Sequence, residues 1–463
     1  MDVFVAAVGR ATPDLAVDAR EIGAAWGVGG RGTVRACDHD EDSLTLAWEA
    51  GVEALAVAGL RPSTVGGLWW GTSRPPFAEG PSHAWLAAAL GLDDEAEGAL
   101  LSGSPHAGVE ALRSAWLAVS AGAVDSALVI VSDALVPALG SGLEQRLGAG
   151  AVALVLGQQG TARLDRFHTS AAPTLDRYRG DRETATRDLY DVRMTRELVW
   201  GPSVGAEIEC VVTGGTVDRW AVDDLDGRAR RSLAKAAGIE TLNDPLGQIG
   251  AATQLFAAVD GLTEAGSVAI VTTGGGRVTS LVLDADGPVP GADRPLPGAR
   301  RTVGYPELLR TRGQLEADKE PVPMGVPPGS AMFARGLREW LGPAGARCVD
   351  CSTIAVPPGV HPSCLECGSD KLEVVPLATD GTVHTFAVNQ AMPAPFIAPL
   401  PILIIDLDDG ARIQAQGLTA DEVAVGVRVR LVLRRLATER GAPLYGYKAR
   451  VVAPSSDVPA MEN

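Results

Sequence analysis

Two Cys-x-x-Cys pairs, Cys348-Val349-Asp350-Cys351 and Cys364-Leu365-Glu366-Cys367, lie twelve residues apart. That spacing matches a tetrahedral Zn(Cys)4 ribbon: thiolates are soft ligands, and each short knuckle aims backbone N–H groups at sulfur. With all four positions filled by Cys348, Cys351, Cys364 and Cys367, the expected zinc is structural. A redox-active pair is the alternative, and His361 is read as a bystander. Cys37 and Cys210 stand alone, which suits a reducing, cytoplasmic setting better than a disulfide framework. A ribbon this small cannot organise 463 residues. Single cores stop growing at about 250–300 residues, so more than one domain is expected.

The ribbon's flanks read clearly. Ser330–Leu341, with Met332, Phe333, Leu337 and Trp340, is an amphipathic helix. Val374–Val452 alternates with period two over Gly381–Asn389, Pro401–Asp406, Arg412–Gln416, Val427–Leu433 and Tyr445–Val451. Five such strands predict a small closed barrel of OB type. Arg428, Arg430, Arg434 and Arg435 make a basic spot, read as a solvated strand face. The net charge of −17 argues against nucleic acid as a partner, because phosphate binding needs concentrated Lys and Arg. No apolar run reaches the ~18–20 residues of a membrane span, so no membrane is expected. Met1-Asp2-Val3-Phe4 offers no basic region of a signal peptide.

The N-terminal part alternates strands and helices, an α/β layout. Strands are expected at Asp2–Val8, Val65–Trp70, Ser126–Ser132 and Ala149–Leu156. Helices are expected at Asp42–Leu60, with caps among Asp40 to Ser43, and at Ser82–Leu90. Between them, Ser102-Gly103-Ser104-Pro105-His106-Ala107-Gly108 opens a helix carrying Ala111, Leu112, Ala115, Trp116 and Val119. A turn feeding such a helix gathers free N–H groups and the positive end of a dipole, a common place for a nucleophile or an oxyanion hole. Here it is equally a plain buried helix start. Arg163–Trp200, with Asp176, Arg177, Arg179, Asp181, Arg182, Arg187 and Asp188, reads as a charged helical insertion. It is a face laced with ion pairs, a wall of an anionic-ligand pocket or a subunit contact. A second α/β run follows: strand Ile208–Thr213, helix Arg228–Ala237, the turn Asp244–Gly250 opening helix Ala251–Leu262, strand Ser267–Thr272, Gly274-Gly275-Gly276 and strand Val278–Leu283. The order glycine turn, helix, strand, strand occurs twice, so the chain is expected to contain a duplication.

These features make residues 1–285 resemble the thiolase superfamily, most closely the hydroxymethylglutaryl-CoA synthase and beta-ketoacyl synthase III branch. Asp40-Glu41-Asp42-Ser43-Leu44-Thr45-Leu46-Ala47, Gly148-Ala149-Gly150-Ala151-Val152-Ala153 and Gly274-Gly275-Gly276 carry the resemblance. It implies a duplicated five-layered fold with halves at about 1–160 and 200–285 and the insertion at 163–200. A linker over 286–329, helix plus ribbon over 330–370, an OB-fold over 371–453 and a disordered tail over 454–463 complete the expected division. Ribbon plus barrel resembles the OB-fold proteins with rubredoxin-like zinc hooks that accompany thiolases, whose barrel helps hold or pass acyl-CoA.

The family's catalytic residues are altered. Laying Gly108 on the Gly of its Cys-x-x-Gly turn puts Pro105 at the nucleophile position, and Pro has no nucleophilic atom. The family's His follows the strand matched to Ile208–Thr213, where this chain reads Thr213-Gly214-Gly215-Thr216. The family's Asn falls at Gln248, which still donates a hydrogen bond. The resemblance then implies His106 as base, Gln248 as donor and the Gly275 backbone as oxyanion site. A helix-start His facing solvent or a core partner is the alternative for His106. Glu79, Tyr178, Tyr190 and His168 are further polar candidates, each better read as structural. Three functions stay open. One is carbon–carbon bond chemistry, aldol, retro-aldol or Claisen-like, on an acyl-CoA or carrier-protein thioester without the Cys nucleophile. The others are a Cys-independent acyltransferase and a non-catalytic, CoA-presenting partner of a catalytic thiolase homologue. A homodimer is expected, alone or with a second thiolase-like protein.

Overall fold

A computed structural model of the chain describes residues 1–189, 191–223, 227–315, 330–392, 397–439 and 441–452. Residues 1–317 and 318–463 form two separate compact units.

In the first unit the apolar runs become strands of one mixed sheet. The first half supplies β1 (Phe4–Ala11), β2 (Gly67–Gly71), β3 (Glu97–Leu101), β4 (Ser126–Ala134) and β5 (Ala149–Gly157). The second supplies β6 (Ala162–Ala171), β7 (Arg219–Val222), β8 (Gly266–Gly274) and β9 (Arg277–Ala285). Their order is β7-β8-β9-β6-β1-β5-β4-β2-β3. The pairing repeats. β1 is antiparallel to β5, β5 to β4, and β4 is parallel to β2. Likewise β6 is antiparallel to β9, β9 to β8, and β8 is parallel to β7. β3 pairs parallel with β2, and its counterpart beyond β7 is reduced, among the described residues, to a parallel bridge between Trp220 and Thr241. The halves join where Phe4 and Val5 of β1 pair with Arg163 and Ala162 of β6.

Helices complete five layers. α1 (Ser43–Ala58) covers β1, β4 and β5. α2 (Ala107–Ser120) and α5 (Thr253–Asp260) lie between the halves, α2 on β2 and β4, α5 on β7 and β8. α3 (Gly201–Thr213) covers β8 and β9, with α4 (Gly227–Ala237) beside it. Asp42 caps α1: its carboxylate accepts from the N–H groups of Leu44 and Thr45, and the Asp42 N–H donates to the Thr45 hydroxyl. In the middle layer α2 meets the Gly250–Ala252 turn that leads into α5. A Cβ on Gly108 would run into the carbonyl oxygen of Ala251, and one on Gly71 would lie 2.6 Å from that of Ala107. Glycine is what lets these backbones approach.

The duplication is present, but its second half begins earlier than expected. β6 lies inside the segment read as a charged insertion. Only Ala162 and Leu164 are buried apolar residues in it; the later His168, itself exposed, and the half-buried Ser170 both bond to Glu207. The strand expected at Ile208–Thr213 is the end of helix α3. A short β-branched run mimics a strand, but Val204, Ile208 and Val211 share the buried face of a helix. The expected linker also differs. Residues 286–315 pack back on the first unit: Val289 and Ala292 are buried, Arg301–Thr302 pairs with Leu15–Ala16, and the helix Tyr305–Thr311 buries Leu308. Proline and glycine there mark irregular backbone, not looseness. Residues 316–329 and the tail at 454–463 lie outside the described residues.

In the second unit α6 (Ser330–Leu341) precedes a three-stranded ribbon of Ala344–Cys348, Ile354–Ala355 and Leu372–Pro376. β10 (Asp380–Asn389), β11 (Leu400–Leu407), β12 (Arg412–Gly417), β13 (Arg428–Glu439) and β14 (Ala442–Val451) close a barrel in the order β10-β11-β12-β14-β13. Val383, Leu403, Ile405, Val429 and Leu431 fill it. Arg428 and Arg430 of the expected basic spot are paired with Asp408 and Asp380, and Arg434 is buried.

Replacing Gly108 by Ala should lower stability by about 1–3 kcal/mol, as overpacking a tight interior does, although Ala favours a helix. Urea unfolding of the first unit measures this; an unchanged or raised midpoint contradicts the close crossing.

Candidate active site

One carboxylate ties the two halves together where α2 begins. Asp133, at the end of β4, is fully buried. Five donors converge on it: the Thr72 hydroxyl at 2.8 Å, the Ser73 N–H at 2.9 Å and hydroxyl at 2.7 Å, the Arg74 N–H at 3.1 Å, and the Ala251 N–H at 2.7 Å. Burial pushes this carboxyl above its ordinary range, and the bonds from Ala251, Ser73, Thr72 and Arg74 oppose that. Gly250 has φ +60°, and a Cβ there would strike the Asp133 carboxylate.

Beside this seam opens a small cleft, partly open to solvent. Both halves line it. Pro105 comes from the turn before α2, and Gln248, Gly250, Thr253 and Gln254 from the turn and start of α5. Asp223 and Thr273 come from the ends of β7 and β8, and Asp176, Arg177, Asp188 and Leu189 from the segment between β6 and α3. The structure therefore brings Pro105 and Gln248 together. Gly148 and Gly150 of the motif before β5 explain themselves here: a Cβ on Gly148 would lie 2.7 Å from the Leu246 carbonyl oxygen, so both let β5 start against the Gln248 turn. Gln248 is held by its neighbours. Its Oε1 accepts from Arg177 Nη2 at 2.8 Å, and Arg177 is paired with Asp188 at 2.8 and 3.2 Å.

The other expected residues lie elsewhere. The His106 ring is buried and does not line the cleft. Its Nε2 is 2.8 Å from the Thr279 hydroxyl, its Nδ1 3.3 Å from Glu110, and Thr279 continues to Thr169 at 2.8 Å. Burial lowers its pKa, against the pull of Glu110. Gly275 and Gly276, at φ +59° and +75°, form the two-residue turn of the β8–β9 hairpin. Gly275 faces Ser104 and is not a cleft-lining residue. Glu79 is exposed and Tyr178 is 38% exposed. His168 Nδ1 donates to the Glu207 carboxylate, which also accepts from the hydroxyls of Ser170 and Ser280. Tyr190 lies outside the described residues.

Sequence reasoning did not single out Asp133 or Asp223, isolated acids in no recognisable spacing. The charged segment is a cleft wall, with Asp176 and Asp188 beside Arg177, and Asp223 adds a third carboxylate from the end of β7. Asp223 accepts from Gln254 Nε2 at 3.0 Å and from the Thr273 hydroxyl. The Asp176 pKa is raised, first by burial and also by the charge of Asp223.

In the second unit the sulfurs of Cys348, Cys351, Cys364 and Cys367 lie within 4.8 Å of one another. Cys348 and Cys367 are 3.6 Å apart, Cys351 and Cys364 3.4 Å. Four sulfurs about 2.3 Å from a central ion would be about 3.8 Å apart, so the cage fits a zinc-sized ion. The knuckles match: the Ser352 N–H donates to the Cys348 carbonyl and the Gly368 N–H to that of Cys364, with φ +64° and +76° at Ser352 and Gly368.

Known proteins share both units. Residues 374–434 match the family model described as ChsH2, C-terminal OB-fold domain. Hydroxymethylglutaryl-CoA synthase of Thermococcus onnurineus is 30% identical over 177 residues, 38% of this chain and 51% of that one. The chain thus spans about half the length of the curated relatives it matches. The crystal structure of 3-oxoacyl-(acyl carrier protein) synthase III from Pseudomonas aeruginosa superposes with a TM-score of 0.55 at 20% identity, covering 62% of this chain and 98% of that one. MvaS in complex with 3-hydroxy-3-methylglutaryl coenzyme A gives 0.56 at 17% identity, covering 70% and 95%. The first unit has a thiolase-like fold, and the second carries an OB-fold domain. Within the first unit the strand orders β3-β2-β4-β5-β1 and β7-β8-β9-β6 are the two copies of its repeat, the fifth position of the second held only by the Trp220–Thr241 bridge.

Proposed function

We propose that the thiolase-type domain acts on an acyl-CoA or acyl-carrier thioester, making or breaking a carbon–carbon bond in aldol, retro-aldol or Claisen-like fashion without an acyl-enzyme. The observation that carries this reading is Pro105, which lines the cleft shared by the two halves. No Cys or Ser lines that cleft among the described residues. A site without a thiol still lowers a barrier if it holds the thioester enolate with fixed donors and moves a proton. Gln248, positioned by Arg177, is the donor in this reading. The distance of His106 from the cleft removes the support for it as the base. That same withdrawal favours a second reading, a non-catalytic partner that presents CoA to a catalytic homologue.

The purified chain, incubated with acetyl-CoA and with 3-hydroxyacyl-CoAs, with and without aldehydes, should give a condensed or cleaved product by mass spectrometry. The intact protein should gain no acyl mass. An acyl adduct on the first unit contradicts the proposal; product formed only when a second thiolase homologue is added supports the presenting role.

The Cys348, Cys351, Cys364 and Cys367 cage is proposed to hold one structural zinc, with no position left for substrate. Chelation should abolish the melting transition of the second unit and spare that of the first, since binding energy of such sites is folding energy. Metal analysis showing no zinc, or a melt indifferent to chelator, contradicts this.

We also propose a homodimer. The outer edge of β3 carries no strand among the described residues, and an open edge invites pairing with a second copy. Light scattering should give twice the chain mass; a monomer contradicts it.

A further inference from the structure

Carbon–carbon chemistry on a thioester needs a group that takes a proton and gives it back. This inference rests on the reaction proposed above and asks which side chain in the cleft can do that. His106 cannot, because both ring nitrogens are engaged by Glu110 and Thr279 away from the cleft. Three carboxylates line the cleft: Asp176, Asp188 and Asp223. Asp188 is committed to ion pairs, with Arg177 at 2.8 and 3.2 Å and with Arg146 at 3.7 Å. Asp223 is committed to Gln254 and Thr273. Asp176 has no side-chain hydrogen bond of this kind among the described residues; its carboxylate takes the backbone N–H of Arg177. It also borders an adjoining hollow of about 320 Å3 lined by Val199, Trp200 and Val278, so it stands where polar cleft meets apolar wall.

We propose that Asp176 is the proton-carrying residue of this cleft, with Asp223 beside it as a positioning residue. In the cleavage direction the Asp176 carboxylate takes the proton of the substrate's β-hydroxyl. The O–H electron pair becomes the second bond of the departing carbonyl, the Cα–Cβ bond breaks, and its electrons form the thioester enolate. The Asp176 carboxylic acid then protonates Cα, so the residue ends as it began and no oxidant or reductant is consumed. Condensation is the reverse. Burial and the neighbouring charge of Asp223 raise the Asp176 pKa, which strengthens it as a base. The charged groups facing it are Asp223 at the end of β7, Arg177 and Asp188 on the same wall, and Arg277 at the start of β9. The sign follows: the working base is the ionised form, so the rate rises with pH through a limb above the ordinary carboxylate range.

The test follows loss of the α-proton NMR signal of acetyl-CoA and 3-hydroxybutyryl-CoA in D2O, using the full chain. Wild type should exchange, with that pH limb. Asp176→Asn should lose on the order of 10²–10⁴-fold in rate, the usual worth of a positioned acid–base group. Asp176→Glu should restore part of it. Asp223→Asn should still exchange, with the limb moved to lower pH, because a like charge has gone. Thermal melts matching wild type show the variants folded, and the Asp223→Asn limb tests the idea should Asp176→Asn fail to fold. Exchange at the wild-type rate in Asp176→Asn, or an unmoved limb in Asp223→Asn, overturns this inference alone. No exchange by wild type on either thioester overturns it together with the proposed reaction.

Discussion

The molecule depends on a close crossing in the middle layer, where the start of α2 meets the Gly250–Ala252 turn. Two covering helices that must touch by their backbones have no room for side chains, and Gly108, Gly71 and Gly250 leave it free. Asp133 then fixes the approach with a single carboxylate. It holds the strand-end residues Thr72, Ser73 and Arg74 from the first half and Ala251 from the second. The cleft is the mouth of that seam. Where Pro105 and Gln248 stand is set by this backbone contact rather than by any bond between the two.

How much of this was legible in the residues follows from what kind of signal each element leaves. Fully buried strands such as Ser126–Ala134 and Ala149–Gly157 are near-continuous apolar runs, and a glycine turn before an apolar-faced helix is equally plain. Two Cys-x-x-Cys pairs need nothing else. β6 left no such trace, because its later residues point at Glu207, a buried acid on α3 that satisfies His168, Ser170 and Ser280. Its partners are polar, so its periodicity is invisible to a hydrophobic pattern. α3 failed for the opposite reason: Ile208, Val211 and Val212 crowd together and look extended. In the site, order along the chain was enough to bring Pro105 and Gln248 to one place. It could not say which way the His106 ring turns, since Thr279 lies 173 residues away. Nor could it mark Asp133 or Asp223, whose roles exist only once distant strands align.

The cleft has a chemical bias that net charge alone would not reveal. Arg177 is occupied by Asp188 and Gln248, so its charge is spent inside the wall. What faces the cavity is acidic and hydroxylated, from Asp176, Asp223, Thr195 and Thr273. Such a wall suits a neutral, hydrogen-bonding substrate end better than an anionic one. The basic residues of the barrel are similarly consumed, Arg428 by Asp408 and Arg430 by Asp380. The chain's cations mostly serve its own architecture.

The unequal halves of the sheet have one more consequence. At the β7 margin, residues 240–242 already occupy the strand: Trp220 donates to the Glu240 carbonyl and accepts from the Leu242 N–H. The β3 margin has no such cover among the described residues. A ribbon blocked at one end and bare at the other can be lengthened only once by a twofold operation, after which no free hem is left. The shortened strand at residues 240–242 thus acts as a terminator, shielding a long sheet from open-ended growth into fibres.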